Sequence, residues 1–462
     1  MLDGIKFKAN PSSNQKIILS QWMGCARFIW NSKVDEELYY RTFARKYYPI
    51  GTYAPIDQTT SQFKSKELTP WLYNCPSQII RNSAVNWFNT YQKFIKGKCG
   101  RPKHKSKMNR GSIHLTKELF NFELCLDGNV RLFIGSKTNN IGYLSFKKHK
   151  DFKIPNSIYI RKKCGEYTIS FCYDNALDDS KLLTNDEHLE FLRGATNEYL
   201  ENNVIGCDRG VAIPLHTGSL TFDFTSNQKK KMKKADRYIK RLQRRMAKQV
   251  KGSNRRNKTK HRIAKFHSKK SNIRNDFAHK TSRSLVNGSA SVIVFEDLKI
   301  SNMTKRPKAK QDENGKFISN KAKQKAGLNK AILNISWHLI ETYTKYKSYR
   351  AGKAVFKIPS PTTSQECSKC GHTHPDNRKT QDKFVCVSCG YADNADRNAS
   401  LVIKKRAIKL IKHTGTVLSE KGVLTIISDN ERGGADKTRL SKGSSSKCQR
   451  SVKKEELDSV SI

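Results

Sequence analysis

The sequence predicts a multidomain α+β protein, and three observations support that prediction. The chain has 462 residues, enough for two to four domains. Short β-rich runs between about 111 and 174 are flanked on both sides by stretches in which apolar residues recur at helical spacing. Two CxxC pairs, ending at Cys370 and Cys389, indicate a small metal-stabilised element near residue 380.

The charge balance limits what the protein can bind. It has 89 lysines and arginines against 40 aspartates and glutamates, a formal net charge of +49, and only 36% hydrophobic residues. Self-repulsion disfavours a compact free state, so we expect a polyanionic partner, with nucleic acid as the first candidate. A membrane surface is the alternative. The sequence has no run of about 18 apolar residues and no signal-like segment, which favours a cytoplasmic protein without a membrane partner.

The first hundred residues predict one strand and two helices. The stretch GIKFKANPSS predicts a short strand, followed by a helix whose apolar residues recur from Ile17 to Ile29. A second helix is expected from Pro76 to Ile95, and the basic linker KGKCGRPKHKSK follows it. The aromatic residues of these helices are interpreted mainly as helix core.

The middle of the chain changes from strands to strongly basic helices. Runs such as VRLFIG, GYLSF and EYTISFCYD predict a small β-barrel or sheet. Between 226 and 280, narrow apolar stripes predict a helical hairpin that turns at Gly252-Ser253-Asn254. Its charges are nearly all positive, which favours phosphate contact over a merely solvated face. The segment 302–325 is predicted to be a mobile basic loop.

Three acidic residues each stand at the edge of a strongly patterned element. Asp208 follows the apolar strand of NVIGCDRG, Glu296 ends SVIVFE, and Asp396 opens the predicted helix DRNASLVIKKRAIKLI. A carboxylate at a buried strand end is costly unless it faces a cation or a hydrogen-bond partner. Two divalent ions about 3.5 to 4 Å apart would relieve the repulsion among three such groups, and Mg²⁺ suits them. Taken singly, each acid is equally consistent with a cap or a surface residue.

The bunched cysteines form a more specific pattern. Fifteen residues separate the two CxxC pairs, and Gly371 and Gly390 follow them, which permits the tight turns of zinc knuckles. Four thiolates leave no open position for water, so the predicted zinc is structural. A redox dithiol is the alternative, and two matched pairs disfavour it. The predicted ligands of one zinc ion are Cys367, Cys370, Cys386 and Cys389.

In this order the motifs resemble those of the TnpB family, transposon-encoded RNA-guided DNA endonucleases related to miniature type V CRISPR effectors. The resemblance rests on GCDRG, VFEDL, PSPTTSQECSKCGH and CVSCGYADNADRNAS, and it is strongest over roughly 200–410. It implies that Asp208, Glu296 and Asp396 are the catalytic acids and hold two Mg²⁺ ions. Asp393 is then a neighbour, and the zinc knuckle fixes the loop that delivers Asp396.

The resemblance also implies a fold and a layout of domains. An RNase H-like RuvC nuclease domain would span 186–365 and 391–415, including the basic helical hairpin 226–280, with a zinc-ribbon insertion at 366–390. The other regions would be a β-barrel wedge domain at 1–13 and 104–185, a helical recognition domain at 14–103, and a flexible C-terminal tail at 416–462. Three residues differ from the family pattern, and none of them is one of the three catalytic acids: Cys207, Ser400 and Val402.

The activity that the resemblance implies is RNA-guided cleavage of double-stranded DNA in the prokaryotic cytosol or nucleoid. A monomer would bind a guide RNA from its own element, read a short flanking DNA motif, and hydrolyse the target with water as the nucleophile. The predicted contacts to nucleic-acid backbones are Lys103, Lys105, Arg110, Arg241, Arg244, Arg245, Arg255, Arg256, Lys260 and Arg262. The candidate region for reading the flanking motif surrounds Tyr47, Tyr48, Tyr53, Gln58, Thr59, Thr60 and Gln62.

Three other functions compete with this prediction. A DDE transposase would order its acids Asp, Asp, Glu, whereas this chain orders them Asp, Glu, Asp. A CRISPR effector would share every residue named above, so only genomic neighbours or the copurifying RNA would separate the two. An RNA-guided DNA-binding regulator that does not cut would have lost one or more acids, and all three are present.

Overall fold

The computed structural model describes residues 2–47, 57–106, 110–125, 130–175 and 182–426. These residues form two compact units. The first unit combines the described residues up to Leu182 with Thr225–Asn275, and the second combines Leu183–Phe224 with the described residues from Asp276 onward. Most of the basic hairpin 226–280 therefore belongs to the unit that contains the N-terminal residues, whereas we had expected it within the nuclease domain.

The secondary structure is mixed throughout the described residues. The helices are α1 (Ser13–Thr42), α2 (Ser77–Ile95), α3 (Asn185–Gly194), α4 (Asn197–Asn203), α5 (Ser226–Ala247), α6 (Asn254–Asn287), α7 (Ile300–Met303), α8 (Ala322–Ile335), α9 (Trp337–Arg350) and α10 (Ala395–Lys412). The strands are β1 (Leu2–Ala9), β2 (Arg110–Thr116), β3 (Phe120–Leu124), β4 (Val130–Gly135), β5 (Asn140–Phe146), β6 (Ser157–Lys163), β7 (Glu166–Asp174), β8 (Val204–Cys207), β9 (Leu215–His216), β10 (Thr221–Phe222), β11 (Val292–Glu296), β12 (Lys310–Gln311), β13 (Phe317–Ile318), β14 (Ala354–Ile358), β15 (Lys383–Val385), β16 (Ala392–Asn394), β17 (Thr416–Leu418) and β18 (Leu424–Ile426).

In the first unit, the described strands β1 to β7 form one antiparallel sheet in the order β2-β6-β7-β1-β5-β4-β3. Burial alternates along β1, which turns Ile5 and Phe7 inward. The same hydrophobic core contains Leu19 of α1 and Ile79 of α2. The regions predicted as separate wedge and helical domains thus share one core, and β2 and β3 are the edges of the sheet within the described residues.

The basic hairpin consists of α5 and α6. A narrow seam buries Ile239 and Leu242 of α5 against Ile263 of α6, and Tyr238 stacks on Phe266 with ring centroids 5.0 Å apart. The α5 helix begins at a capping box, in which Thr225 and Gln228 exchange hydrogen bonds. The predicted two-helix arrangement is confirmed, and α6 runs further than predicted, to Asn287.

In the second unit, the described strands β8, β11 and β14 pair in parallel in the order β14-β11-β8. All five residues of β11 are buried, as expected for a parallel strand covered on both faces. Two main-chain hydrogen bonds of 2.9 Å between Asp208 and His216 place β9 beside the end of β8, and β10 pairs with β9. The resulting order across this sheet is β10-β9-β8-β11-β14.

Helix α10 lies directly on β8 at Gly206. A methyl group at Gly206 would lie 2.1 Å from the carbonyl oxygen of Ser400 and 2.7 Å from the amide nitrogen of Lys404. Main-chain atoms cannot yield as the end of a flexible side chain can. The position of α10, which carries Asp396, therefore depends on the absence of a side chain at residue 206.

Gly206→Ala is expected to destabilise the second unit by about 1–3 kcal/mol or more, because overpacking forces the backbone to move. The measurement is the free energy of unfolding in urea. Gly4→Ala is the matched control, since Gly4 also lies in a strand but a methyl group there would meet nothing within 4 Å. Equal stabilities of the two variants would contradict the close approach of α10 to β8.

Two segments contain regular elements where we predicted a loop and a tail. The segment 302–325 contains the β12-β13 hairpin and the start of α8. Residues 416–426, predicted to belong to the flexible tail, form the β17-β18 hairpin, and Leu424 is fully buried in a core shared with α10. None of the helices in the described ranges has the length and hydropathy that a membrane crossing requires.

Candidate active site and metal centre

Asp208 and Glu296 lie at the carboxyl ends of neighbouring parallel strands. Phe295 is in register with Cys207, so Glu296 and Asp208 follow at the same level of the sheet. Side chains alternate along a strand, so both carboxylates belong to the face on which Gly206 contacts α10. Glu296 is 5% exposed, and one of its carboxylate oxygens accepts a hydrogen bond from the Thr363 hydroxyl.

Asp396 is in the first turn of α10, on the same face of the sheet. The side chain of Asn394 caps this helix by accepting hydrogen bonds from the main-chain amides of Asp396 and Arg397. A carboxylate in the first turn is stabilised by the helix dipole. The Asp396 Oδ1 atom also accepts a hydrogen bond of 3.2 Å from the Arg378 guanidinium.

Asp208 is repelled by the other two carboxylates. Burial raises the pKa of Asp208 to about 7, and the negative charges of Glu296 and Asp396 contribute to this rise. Burial also raises the pKa of Glu296, while the Thr363 hydrogen bond opposes that rise. The structure therefore brings the three predicted acids into one electrostatic environment. A cation among them would relieve the repulsion.

Arg378 is a candidate functional residue that the sequence interpretation missed. It belongs to the 3₁₀ turn Pro375–Arg378, contacts Asp396, and donates a second hydrogen bond of 2.9 Å to the carbonyl of Gln381. Its positive charge opposes the rise in the pKa of both Asp208 and Glu296. No local pattern distinguishes one arginine in a chain with 89 lysines and arginines.

The four predicted zinc ligands converge. The Sγ atoms of Cys367 and Cys389 are 3.7 Å apart, those of Cys370 and Cys386 are 3.6 Å apart, and all four lie within 4.8 Å of one another. A tetrahedron with Zn–S bonds of about 2.3 Å has sulfur atoms about 3.8 Å apart, so this set fits zinc. In the described part of the chain, no other group of three or more His, Cys, Asp or Glu side chains has its ligand atoms this close together.

Asn398 joins the cysteine centre to the start of α10. Its fully buried side chain accepts a 2.9 Å hydrogen bond from the Ser368 amide and donates one of 2.7 Å to the carbonyl of Glu366. On the other side of the centre, β15 pairs with β16, which runs directly into α10. The two knuckles thus hold both flanks of the turn that carries Asp396, which is the arrangement expected from the sequence.

Comparison with known proteins finds two family models and a bacterial protein that are similar to this chain. A family model described as "Probable transposase" matches residues 183–307, and one described as "Helix-turn-helix domain" matches residues 1–40. The protein named "Putative RNA-guided DNA endonuclease InsQ" of Escherichia coli (strain K12) is 28% identical over 403 residues, covering 86% of this chain and 90% of that protein. These matches support the resemblance to the TnpB family that the sequence motifs carry.

Further comparisons show similarity to Cas12f proteins and to a second bacterial relative. A model described as "Cas12f1-like, TNB domain" matches residues 337–403, which contain the four cysteines and Asp396. A "Putative RNA-guided DNA endonuclease" of Streptomyces pristinaespiralis is 21% identical over 86% of this chain and 87% of that protein. The structure titled "Cryo-EM structure of the Cas12f1-sgRNA-target DNA complex" shares the fold, with a TM-score of 0.51 and 13% identity over 87% of this chain and 98% of that one.

The three departures from the TnpB pattern pack without disturbing the site. Cys207 is fully buried in β8, and Val402 is fully buried in α10. Ser400 is 1% exposed, and its hydroxyl donates a 2.8 Å hydrogen bond to the Arg397 carbonyl. Asp393, expected to be a neighbour of the site, accepts a 2.7 Å hydrogen bond from the Tyr391 hydroxyl.

The residues predicted to contact nucleic acid differ in how available their side chains are. Arg256 donates hydrogen bonds to the carbonyls of Met246 and Gln249, which closes the end of α5. The Lys105 ammonium lies 3.3 Å from the ring centroid of Trp30, and burial lowers its pKa to about 8. The side chains of these two residues have partners within the fold. Arg256 is half-buried, whereas the other described residues of the set are exposed as whole residues, namely Lys103, Lys105, Arg241, Arg244, Arg245, Arg255, Lys260 and Arg262. The Arg110 side chain, Tyr48 and Tyr53 lie outside the described parts.

Proposed function

We propose that this protein, which resembles the TnpB family, is an RNA-guided DNA endonuclease. It would use a transposon-derived guide RNA to find a target and would hydrolyse phosphodiesters of that DNA beside a short flanking motif. The observation that carries the proposal is the position of Asp208, Glu296 and Asp396 on one face of the parallel sheet, where the charges of the other two act on Asp208. The names of the two bacterial relatives support the RNA-guided part.

We propose further that the second unit is an RNase H-like RuvC nuclease domain with a zinc-ribbon insertion. The strand order β10-β9-β8-β11-β14 supports this assignment, because it places two acids on the adjacent strands β8 and β11. The third acid comes from the helix that packs on the same face. The four converging thiols support one structural zinc ion.

The three carboxylates fit Mg²⁺ in the chemistry of their donor atoms. Hard divalent cations prefer carboxylate, water and phosphate oxygens, and the repulsion of Asp208 by the other two acids favours a bound cation. When bound by Asp208, Glu296 and Asp396, two such ions would activate water and stabilise the leaving oxygen. Thr363 would orient the Glu296 carboxylate, and Arg378 would add positive charge where a scissile phosphate is held.

The basic hairpin is the proposed contact surface for the guide RNA backbone. One face of α5 borders a groove of about 570 Å³ lined by Lys230, Lys233, Lys234, Arg237, Tyr238 and Arg241. The Arg241 guanidinium lies 5.0 Å from the ring centroid of Tyr238, which is itself stacked on Phe266. This surface offers positive charge at fixed positions without base-specific readout. Base pairing between guide and target would then supply the sequence specificity.

Replacing Lys230, Lys233 and Arg237 together by glutamine should weaken guide RNA binding and flatten its dependence on salt. Removing up to three phosphate contacts should reduce the slope of log Kd against log salt concentration by about 2. The measurement is a filter-binding titration at several salt concentrations. The control replaces the exposed Lys405, Lys409 and Lys421 by glutamine, which removes the same charge elsewhere. Equal changes in both variants would contradict the assignment of this surface.

The function is tested by sequencing the RNA that copurifies with the protein and supplying DNA that matches it. Cleavage of matched DNA in Mg²⁺, and none of unmatched DNA or in EDTA, is the expected result. A library of flanking sequences is required, because the chain reads that motif itself. Binding of matched DNA without cleavage under all metal conditions would instead favour an RNA-guided regulator.

A further inference from the structure

A second cluster of charged residues lies behind the strand acids, on the opposite face of the sheet. Arg209 directly follows Asp208, and Asp297 directly follows Glu296. Because side chains alternate along the strands, these two residues belong to the face away from α10. There they meet Lys357 of β14 and Glu341 of α9. We call Arg209, Asp297, Glu341 and Lys357 the buried charge network.

The contacts of this network run between the two strands that carry the acids. Arg209 Nη1 donates a 3.0 Å hydrogen bond to a Glu341 carboxylate oxygen, and Nη2 donates to the main-chain carbonyl of Glu296. Lys357 Nζ lies 2.9 Å from the other Glu341 carboxylate oxygen and 3.4 Å from the carboxylate of Asp297. One guanidinium therefore connects the residue after Asp208 to the peptide group of Glu296 itself.

The Glu341 carboxylate of this network is held in its charged form by basic partners. The Arg209 side chain is 1% exposed, and its guanidinium carbon lies 5.5 Å from the ring centroid of Phe295. Burial alone would raise the pKa of Glu341, but the Lys357 hydrogen bond and the Arg209 and Lys345 charges hold it down to about 2. Removing one partner of such a network leaves an uncompensated buried charge, which makes the geometry sensitive to single substitutions.

We propose that Arg209 and Glu341 are positioning residues that set the spacing of the Asp208 and Glu296 carboxylates and thereby the affinity of the site for divalent cations. This inference depends on the proposed function, since it assigns a role toward the same site. Neither side chain touches the carboxylates, which lie on the other face. Their positioning effect passes through the main chain of Asp208 and Glu296, and the Arg209 charge also opposes the rise in the pKa of Glu296. Groups that orient metal ligands typically change metal affinity or activity by about 10–100-fold.

The test compares Arg209→Lys and Glu341→Gln with the parent in the complex with the copurifying RNA and without target DNA. Electron paramagnetic resonance of Mn²⁺ measures binding, and the binding lost in Asp208→Ala defines the site. Both variants should bind Mn²⁺ at that site about 10–100-fold more weakly and should cut matched DNA more slowly at a given Mg²⁺ concentration. Affinity for RNA and for matched DNA should not change.

Arg193→Lys is the control for loss of an arginine that makes the same two kinds of contact, although its side chain is 25% exposed. Arg193 also pairs with a glutamate, Glu190, and also donates to a main-chain carbonyl, that of Thr416. The Arg193→Lys variant should lower the midpoint of thermal unfolding without changing the affinity for Mn²⁺. In the double variant Arg209→Met with Glu341→Met, stability should recover relative to Arg209→Met, while Mn²⁺ binding should stay weak. If stability and Mn²⁺ binding both recovered, Arg209 and Glu341 would act only on stability.

Two further results would overturn the inference, and they are distinguishable. Mn²⁺ binding that depends on Asp208 but is unchanged in Arg209→Lys and Glu341→Gln would remove the positioning role and leave the nuclease proposal intact. The absence of any Asp208-dependent Mn²⁺ binding in the parent, together with cutting that survives Asp208→Ala, would remove both.

Discussion

Asp208→Ala, Glu296→Ala and Asp396→Ala should each abolish cleavage of matched DNA, with a loss of about 1,000-fold or more in rate. A loss of that size corresponds to about 4 kcal/mol of transition-state stabilisation. Each substitution removes one of three carboxylates that share a face of the sheet, while the basic surfaces remain unchanged. The measurement is single-turnover cleavage in Mg²⁺, with RNA and target affinity measured in parallel and expected to be unchanged.

Asp393→Ala is the matched control for these three variants. Asp393 lies three residues before Asp396, but its carboxylate is hydrogen-bonded to the Tyr391 hydroxyl and pairs with Arg397 at 3.6 Å. This variant should keep its cleavage activity. If all three alanine variants cut DNA as well as Asp393→Ala does, the nuclease site is not where we place it.

Cys386→Ser should release zinc and unfold the segment that contains the knuckles, with loss of cleavage as a consequence. A structural zinc contributes about 10–16 kcal/mol of binding free energy, which is folding free energy in a small metal-dependent element. The bond between Ser368 and Asn398 would be lost with it, and so would the support of the turn before Asp396. Zinc content by atomic absorption and thermal denaturation are the measurements.

Cys172→Ser serves as the control, because Cys172 is an exposed cysteine in β7 outside the four-thiol cluster. It should change neither the zinc content nor the midpoint of unfolding. A Cys386→Ser protein that stays soluble, folded and active would show that the four thiols do not hold a structural zinc.

The acids could be predicted from the sequence because each marks a visible boundary. VIGC before Asp208 and VIVF before Glu296 are short apolar runs of the kind that form buried parallel strands, and these strands are neighbours in the structure. Asp396 opens a helix with a clear apolar stripe, and that stripe packs on the sheet. For such residues, the neighbouring residues in the sequence are enough to predict the structural element to which they belong.

The residues that support the acids carry no such local mark. Arg209 and Glu341 are 132 positions apart, and Arg378 and Asp396 are 18 apart. Their pairing depends on how strands and helices cross in three dimensions, which spacing along the chain does not encode. The same reason explains why the partners of Lys105 and Arg256 could not be predicted from the sequence. Trp30 and the carbonyls at the end of α5 are partners that only the fold brings near these two side chains. The phosphate contacts of Lys105 and Arg256 stay a prediction.

The most direct test of the central claim is a structure of the complex with its RNA and matched DNA in Ca²⁺, which suits carboxylate ligands. We predict density for divalent ions contacting the carboxylates of Asp208, Glu296 and Asp396 beside a phosphate of the target strand. Ions bound elsewhere, or any of the three carboxylates turned away from the DNA, would contradict the account.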